Sequence, residues 1–589
     1  MNTSTAAGSV FNSEDWLVVA LFVIVMVGIV LFAMRVKAKS GKDYFLSGRD
    51  SNWLQIGSSI FSSNIGSEHL VGLAGAGFAT GLAMAHWEIQ SWLILILGWV
   101  FVPLYDRMKI FTMPEFLELR FSRASRNVLS FLTIASLVLT KIAVTIYAGD
   151  VVIRTLLGID HVTVLGARID VFWVIALGLA LTTGLYTALG GLRVIMYTAV
   201  LQAPVLIVGS VCILYSGLSV LGHGDVWAGW RATVAAAGSN IHLIRQLQDP
   251  DWSWAAVLPG SAIIGFWYWC TDQYIVQRVL AGRDQRQSRR GAILAAFLKL
   301  TPVFIFLLPG MIAFAMTQAP TLHFTTAGDA AYTSLVAQIL PHGLRGMVAC
   351  SMIVALMASL ASKFNASATL FTMDFFREWY PNATGRTEVT VGRIATAVIV
   401  VLGICWVLVI KSLHSDLYVY LQSVQGYLSP AIAALFLLGV FWKRATAPAA
   451  FVGFVVGIAG GVARLIADLV MRDDGAAVTA LKQQLYHGSI NMAQFDSAVA
   501  PIRARHGWIF NFWNIHWLYY TQILLVVTAT LVVVLSFLTK APDEKSLRYT
   551  WYGATAAEKA ATRASWNHWD VILSGLVVAA VAVFYVVFW

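Results

Sequence analysis

Trp53 to Gly81 reads WLQIGSSIFSSNIGSEHLVGLAGAGFATG, an apolar stretch long enough to cross a bilayer with a polar interruption, Ser62-Ser63-Asn64-Ile65-Gly66-Ser67, near its middle. Backbone that leaves helical geometry at membrane depth has no water to satisfy its freed polar groups, so it is tolerated only where it lines a cavity inside the protein. A second interruption is expected near Gly265, beside Trp267, Tyr268 and Trp269. Two broken membrane helices predict a polytopic protein with a binding site at the bilayer midplane, the architecture of a transporter.

Composition excludes a soluble chain. Of 589 residues 58% are apolar and 12% charged, and the mean hydropathy is +0.73. A water-soluble domain of that makeup would expose a very large apolar surface. The formal charge of +10 would suggest nucleic acid in a soluble protein. Here the basic residues fall in short loops on alternating sides of the apolar stretches, so they report topology and no nucleic acid partner is expected. Cys212, Cys270, Cys350 and Cys405 all lie inside apolar stretches, and no disulfide framework is expected. The first apolar stretch lacks a basic lead and a small-residue cleavage pattern, and reads as a retained helix.

Fourteen spans are predicted, near 14–35, 52–80, 82–105, 127–157, 167–190, 193–220, 253–281, 291–317, 344–376, 388–411, 415–442, 446–471, 518–539 and 568–588. Loops after the odd-numbered spans carry Lys37, Lys39, Arg107, Arg120, Arg289, Arg290 and Arg444, which places them in the cytoplasm and both termini outside a plasma (inner) membrane. The second to sixth and the seventh to eleventh spans form two blocks of five that begin in opposite orientation, as an inverted repeat does. The division is 1–51, N-terminal tail and extra helix; 52–220, first repeat; 221–252, external loop; 253–444, second repeat; and 445–589, C-terminal helices with an external loop at 472–517.

Charged and polar groups that cannot reach an interface need a partner or a task, because a charge at a helix centre costs at least about 2.5–3.5 kcal/mol. Glu88, next to Trp87 and followed by Gln90 and Ser91, has acceptor oxygens suited to sugar hydroxyls, or is a helix-end glutamate near the outer interface. Asn64 and His69 flank the first interruption, where Asn64 can cap the half-helix. Lys299 lies deep in the eighth span and is expected to face the cavity; Gln422 precedes Gly426 and Pro430, which deform its helix. Trp87, Trp267, Tyr268 and Trp269 offer flat apolar faces for a pyranose ring, or simply pack.

The stretches Ser62 to Gly81, Thr112-Met113-Pro114-Glu115, Trp267 to Arg278 (WYWCTDQYIVQR), Gly343 to Met347, Asn365 to Asp374 (NASATLFTMD) and Phe436 to Arg444 (FLLGVFWKR) resemble the sodium/glucose cotransporter branch of the solute:sodium symporter family. The resemblance implies an all-α integral membrane fold: a LeuT-type five-plus-five inverted repeat with one extra N-terminal and three extra C-terminal helices. It implies sugar contacts at Asn64, His69, Glu88, Tyr268, Trp269, Lys299 and Gln422, and Ser91, three residues after Glu88, is expected among the substrate-binding residues. Tyr268 would gate the inside, and Leu73, Trp87 and Tyr418 the outside. Gly265 stands where relatives carry a hydroxyl or amide, so one sugar hydrogen bond would be missing or water-filled. Ser67-Glu68-His69 with Trp87-Glu88 is also similar to inositol-transporting members.

The ion site departs from the family pattern. The resemblance implies sodium ligands at the carbonyls of Ser62, Ile65 and Ala355 and at two adjacent hydroxyls, but that pair reads Ala358-Ser359. The carboxylate of a second sodium region is replaced in Tyr197-Thr198-Ala199. Lys363 lies four residues after Ser359, on the same helical face. Either Lys363 replaces sodium, giving uniport or proton-driven transport, or it snorkels to the cytoplasm and sodium still binds.

The expected activity is therefore secondary transport of glucose, galactose or another hexose through the lipid bilayer by alternating access. Sodium, or in the alternative a proton, is the coupling ion, and no cofactor is required. A sugar sensor that does not translocate is the main rival; an enzyme finds no metal cluster, nucleophile elbow or phosphate loop. Replacing Glu88 or Gln422 with alanine is expected to weaken sugar binding more than stability.

Overall fold

In the computed structural model, which describes residues 11–66, 68–164, 167–326, 328–411, 417–486 and 488–589, the first broken helix runs Trp53–Asn64 and turns extended at Ile65 (φ −74°, ψ 115°). It resumes as a π-helical turn Glu68–Leu73 and an α-helix Ala74–Thr80. The amides of His69 and Leu70 both bond the Gly66 carbonyl at 3.1 Å, so the restart satisfies its own donors.

The second broken helix runs Trp254–Phe266, widens into a π-helical turn Trp267–Thr271, turns extended at Asp272 (φ −77°, ψ 128°) and resumes as Gln273–Leu280. The interruption therefore lies at Asp272 and not near Gly265, which stays helical. The glycine misled because its missing side chain serves packing: a Cβ there would stand 2.2 Å from Gln90 Oε1.

Eleven helical runs among the described residues are long and apolar enough to cross a membrane, against fourteen expected. The second helix continues past Gly81 into the third, so Glu68–Met108 counts as one run. Val171–Leu221 is likewise one run, turned at Gly191 (φ 58°, ψ −154°). The helix broken at Asp272 is not among the eleven.

Prolines expose carbonyls that the helix Trp517–Leu538 satisfies. Pro430 lacks the donor for Gly426 O, which accepts from Thr521 Oγ1 at 3.1 Å; Pro259 does the same to Ala255 O, which accepts from Gln522 Nε2 at 3.0 Å. This late helix thus braces both the second broken helix and the helix Leu417–Phe441 that carries Gln422.

The chain is not wholly helical: His161–Val164 and Ala167–Asp170 pair antiparallel in a short hairpin just before Val171. The segment 472–517 folds into helices Arg472–Tyr486, Met492–His506 and Trp508–Trp513 around Met471, Val478, Val499 and Phe510. Each terminal helix is tied to the body of the chain: Asp15, in the first turn of Ser13–Met34, accepts from the Gly343 and Gly346 amides at 2.8 Å, and Phe588 O, just after His568–Val587, accepts from the Leu243 amide at 2.7 Å.

Candidate functional site

The break at Ile65 brings Asn64 and His69 to one wall of a cavity whose other walls are Trp87, Glu88 and Gln90, then Ile264, Tyr268 and Trp269, then Lys299, and finally Gln422 and Gln425. Glu68 borders it as well. The floor of the polar cluster is a buried ion pair: Lys299 Nζ lies 2.5 Å from Glu88 Oε2, with both side chains almost fully excluded from solvent. His69 Nε2 approaches the same oxygen at 3.2 Å. Lys299 also donates to Asn64 Oδ1 at 3.1 Å, and Asn64 Nδ2 donates to Tyr268 OH at 2.8 Å.

Five predicted sugar contacts, Asn64, His69, Glu88, Tyr268 and Lys299, are therefore bound to one another. Asn64 spends its amide on Lys299 and Tyr268, not on capping the half-helix. Glu88 ends the short helix Ala85–Glu88 but is buried, not interfacial, and an alanine there would strand a buried ammonium, so a stability cost is expected beside the loss of binding. Gln422 fits the expectation better: it borders the cavity, and its Oε1 has no partner among the described residues.

Aromatic rings close the cavity. Trp269 lies under Lys299, whose Nζ is 5.3 Å from the ring centroid, and Tyr268 accepts a short hydrogen bond from Tyr274. On the other side Trp87 stacks on Trp517 at 6.0 Å and meets Trp252 edge-on at 6.3 Å. The cavity is about 40 Å³, room for a few waters, whereas pockets for organic ligands run to about 300 Å³ or more.

Some expected residues stand elsewhere. Ser91 is fully buried and does not border the cavity; Leu73 is buried in the π-helical turn and does not border it either. Trp267 faces away, toward Lys141. The side chain of Tyr418 lies outside the described residues. The space opposite Gly265 is neither empty nor watery: the Gln90 amide fills it and donates to Ser261 O at 2.8 Å.

At the expected ion site, Ser359 Oγ is fully buried with no hydrogen-bond partner among the described residues, and Ala355 is buried one turn before it. An orphan hydroxyl suits a sodium ligand, so Ser359 fits the group. Ser62 Oγ reaches Ala199 O at 3.5 Å, and Ser63 bonds Ser362 at 2.7 Å, tying the first broken helix to Leu344–Leu370. Lys363 does not snorkel: it is fully buried and pairs with Glu68 Oε1 at 3.0 Å.

A second pair stands at the other break, where Lys141 Nζ lies 2.8 Å from Asp272 Oδ2. Each break thus receives a lysine from a distant helix, Lys363 at the first and Lys141 at the second. The sequence assigns no individual role to Glu68, Lys141, Asp272 or the Trp252–Trp517 cover. Lys141 was within reach, since Leu137-Val138-Leu139-Thr140-Lys141-Ile142 buries a charge in an apolar run by the same criterion that singled out Lys299.

Comparison with known proteins gives the family and the fold. Residues 44–457 match the model of the sodium:solute symporter family. Sodium/myo-inositol cotransporter 2 of Oryctolagus cuniculus is 33% identical over 567 residues, covering 91% of this chain and 79% of that protein. Sodium/glucose cotransporter 1 of the same species is 33% identical over 594 residues, covering 94% and 84%. The sodium/myo-inositol cotransporter of Canis lupus familiaris is 34% identical over 582 residues, covering 92% and 76%. Among solved structures, a Na+-coupled sialic acid symporter in a substrate-bound outward-open state superimposes with a TM-score of 0.70 at 20% identity, over 91% of this chain and 100% of that one. That likeness establishes the fold. The chain belongs to the sodium:solute symporter family, a family of helical multi-pass membrane transporters and not of enzymes.

Proposed function

We propose that this protein carries a small polyhydroxylated solute, a hexose such as glucose or galactose or a cyclitol such as inositol, across the plasma membrane with sodium by alternating access. The observation that carries this reading is the buried Glu88–Lys299 pair, with Asn64 and His69 on it and Trp269 beneath. Vicinal hydroxyls both donate and accept: they can give hydrogens to the carboxylate and take them from the ammonium, while the ring lies on the indole. The names of the inositol and glucose cotransporters among the relatives support the same class of solute.

The contact set in this reading is Asn64, His69, Glu88, Tyr268, Trp269, Lys299 and Gln422, joined by Gln425. A hexose is larger than the present cavity, so the Trp87–Trp252–Trp517 cover opens to admit it, and Tyr268 with Tyr274 blocks the inner side. Sodium on Ser62, Ile65, Ala355 and Ser359 would bridge the first broken helix to Leu344–Leu370, and its loss would release the solute inward. Fourteen spans, two inverted blocks of five and external termini belong to the same reading.

Uptake of radiolabelled glucose, galactose and myo-inositol into proteoliposomes tests it. Accumulation of one of them under an inward sodium gradient is expected. Binding without flux would replace transport by sensing. A second reading, transport without sodium or driven by protons, has one observation behind it: an ammonium already stands at the first break. Accumulation under a pH gradient with sodium replaced by choline would favour it.

A further inference from the structure

Lys363 follows Ser359 by four residues on the helix Leu344–Leu370, so the two side chains leave one face, and both are fully buried. Three oxygens converge on Lys363 Nζ: Glu68 Oε1 at 3.0 Å, Thr145 Oγ1 at 2.8 Å and the Lys141 carbonyl at 3.5 Å. Carboxylate, hydroxyl and carbonyl are the hard donors that an alkali cation takes, and a primary ammonium brings the same single charge with three hydrogens to match three acceptors. The ammonium of Lys141 is itself paired with Asp272, so it adds no uncompensated charge nearby. A Cβ on Gly66 would stand 2.6 Å from Ser359 Oγ and 2.8 Å from Glu68 Oε2. The orphan hydroxyl and the other carboxylate oxygen therefore border the same space at the break.

We infer that Lys363 is a tethered cation: its ammonium occupies a monovalent-cation position built by Glu68, Thr145 and the Lys141 carbonyl, beside the sodium position at Ser359. The chain supplies with its own side chain one of the cations that the first break can hold. It binds one alkali ion fewer than the oxygens present could accommodate. Glu68 is the residue that makes the position cationic in preference, because it contributes the only formal negative charge among the three donors. The inference rests on the reading of the first break as the coupling-ion region. It does not depend on the identity of the solute.

Removing the ammonium should open the position. In Lys363→Ala the carboxylate, hydroxyl and carbonyl face a space of lysine length that one sodium and water can fill. Equilibrium binding of radiolabelled sodium to the purified full-length protein, without sugar, reads this directly. One additional sodium per chain is expected in Lys363→Ala relative to the unmodified protein, and none in Lys363→Ala combined with Glu68→Gln. An unchanged count in a folded Lys363→Ala protein, or the extra ion persisting in the double variant, overturns the inference. Should Lys363→Ala be unstable, purification in sodium chloride against choline chloride decides: recovery of folded protein in sodium alone supports the site, and equal loss in both salts refutes it. Because no sugar is present, failure of this test is distinct from failure to transport a hexose or inositol.

Discussion

Glu88→Ala is the most informative single perturbation. The carboxylate is 2.5 Å from Lys299 Nζ and 3.2 Å from His69 Nε2, almost fully excluded from bulk solvent. Deleting it leaves an ammonium with the Asn64 carbonyl oxygen in hydrogen-bond reach, the Trp269 ring face beside it and the Glu68 carboxylate at longer range, itself paired with Lys363. Breaking one side of a buried pair costs about 3–5 kcal/mol, because the surviving charge stays desolvated. Removing both charges costs less, since an apolar pair of similar volume avoids that penalty; what remains is the unpaired polar edge of Asn64 and His69, about 1–3 kcal/mol. Tryptophan fluorescence during chemical denaturation of the purified protein should therefore rank Glu88→Ala below Glu88→Ala with Lys299→Met, and both below the unmodified chain. Solute binding should be lost in both variants, separating the contact from the stability effect. A Glu88→Ala protein as stable as the unmodified one, or a double variant no more stable than the single, would refute the pairing argument.

Gln422→Ala should behave in the opposite way, since its Oε1 has no described partner: binding falls about 5- to 30-fold, the equivalent of about 1–2 kcal/mol, while the unfolding midpoint barely moves. Gly265→Ala should destabilise by about 1–3 kcal/mol by expelling Gln90 Oε1 from contact, and Gln90→Ala in the same chain should return most of the loss in a denaturation series. At Gly191, alanine meets both a positive φ and the Tyr44 carbonyl 2.4 Å from its Cβ; the expected loss is more than about 1–3 kcal/mol, visible as lower yield of monodisperse protein. Trp517→Ala removes the ring stacked on Trp87, so a cysteine at Gln425 should react faster with a membrane-impermeant maleimide than it does beneath the intact cover.

Legibility in the sequence followed the range of the interaction. The first break was readable because Ser62-Ser63-Asn64-Ile65-Gly66-Ser67 puts polar and glycine residues into an apolar helix, a local signal. The second was misplaced by seven residues, since Gly265 looked like a weak point while Asp272 was the actual extended residue. A glycine in a helix reports either backbone freedom or a close neighbour, and only the neighbour Gln90 distinguishes them. The count of helical runs differs from the count of expected spans for a related reason: hydropathy marks where a chain is apolar, but the geometry at Gly81 and Gly191 decides whether adjacent apolar stretches count as one helical run or two.

The sequence by itself determined the class of molecule. Apolar length, scarce charge and interrupted helices leave no soluble alternative, and the motifs around the two breaks identify the family. What it could not determine is which charges meet. Glu88 and Lys299 are 211 residues apart, Glu68 and Lys363 are 295, and Lys141 and Asp272 are 131. In a membrane interior, where an unpaired charge is costly, each of these groups had to find a partner, but several pairings satisfy that demand equally well. Only the packing of the helices brings Lys363 to the first break and Lys141 to the second, and with it decides which carboxylates remain available to solute or ion.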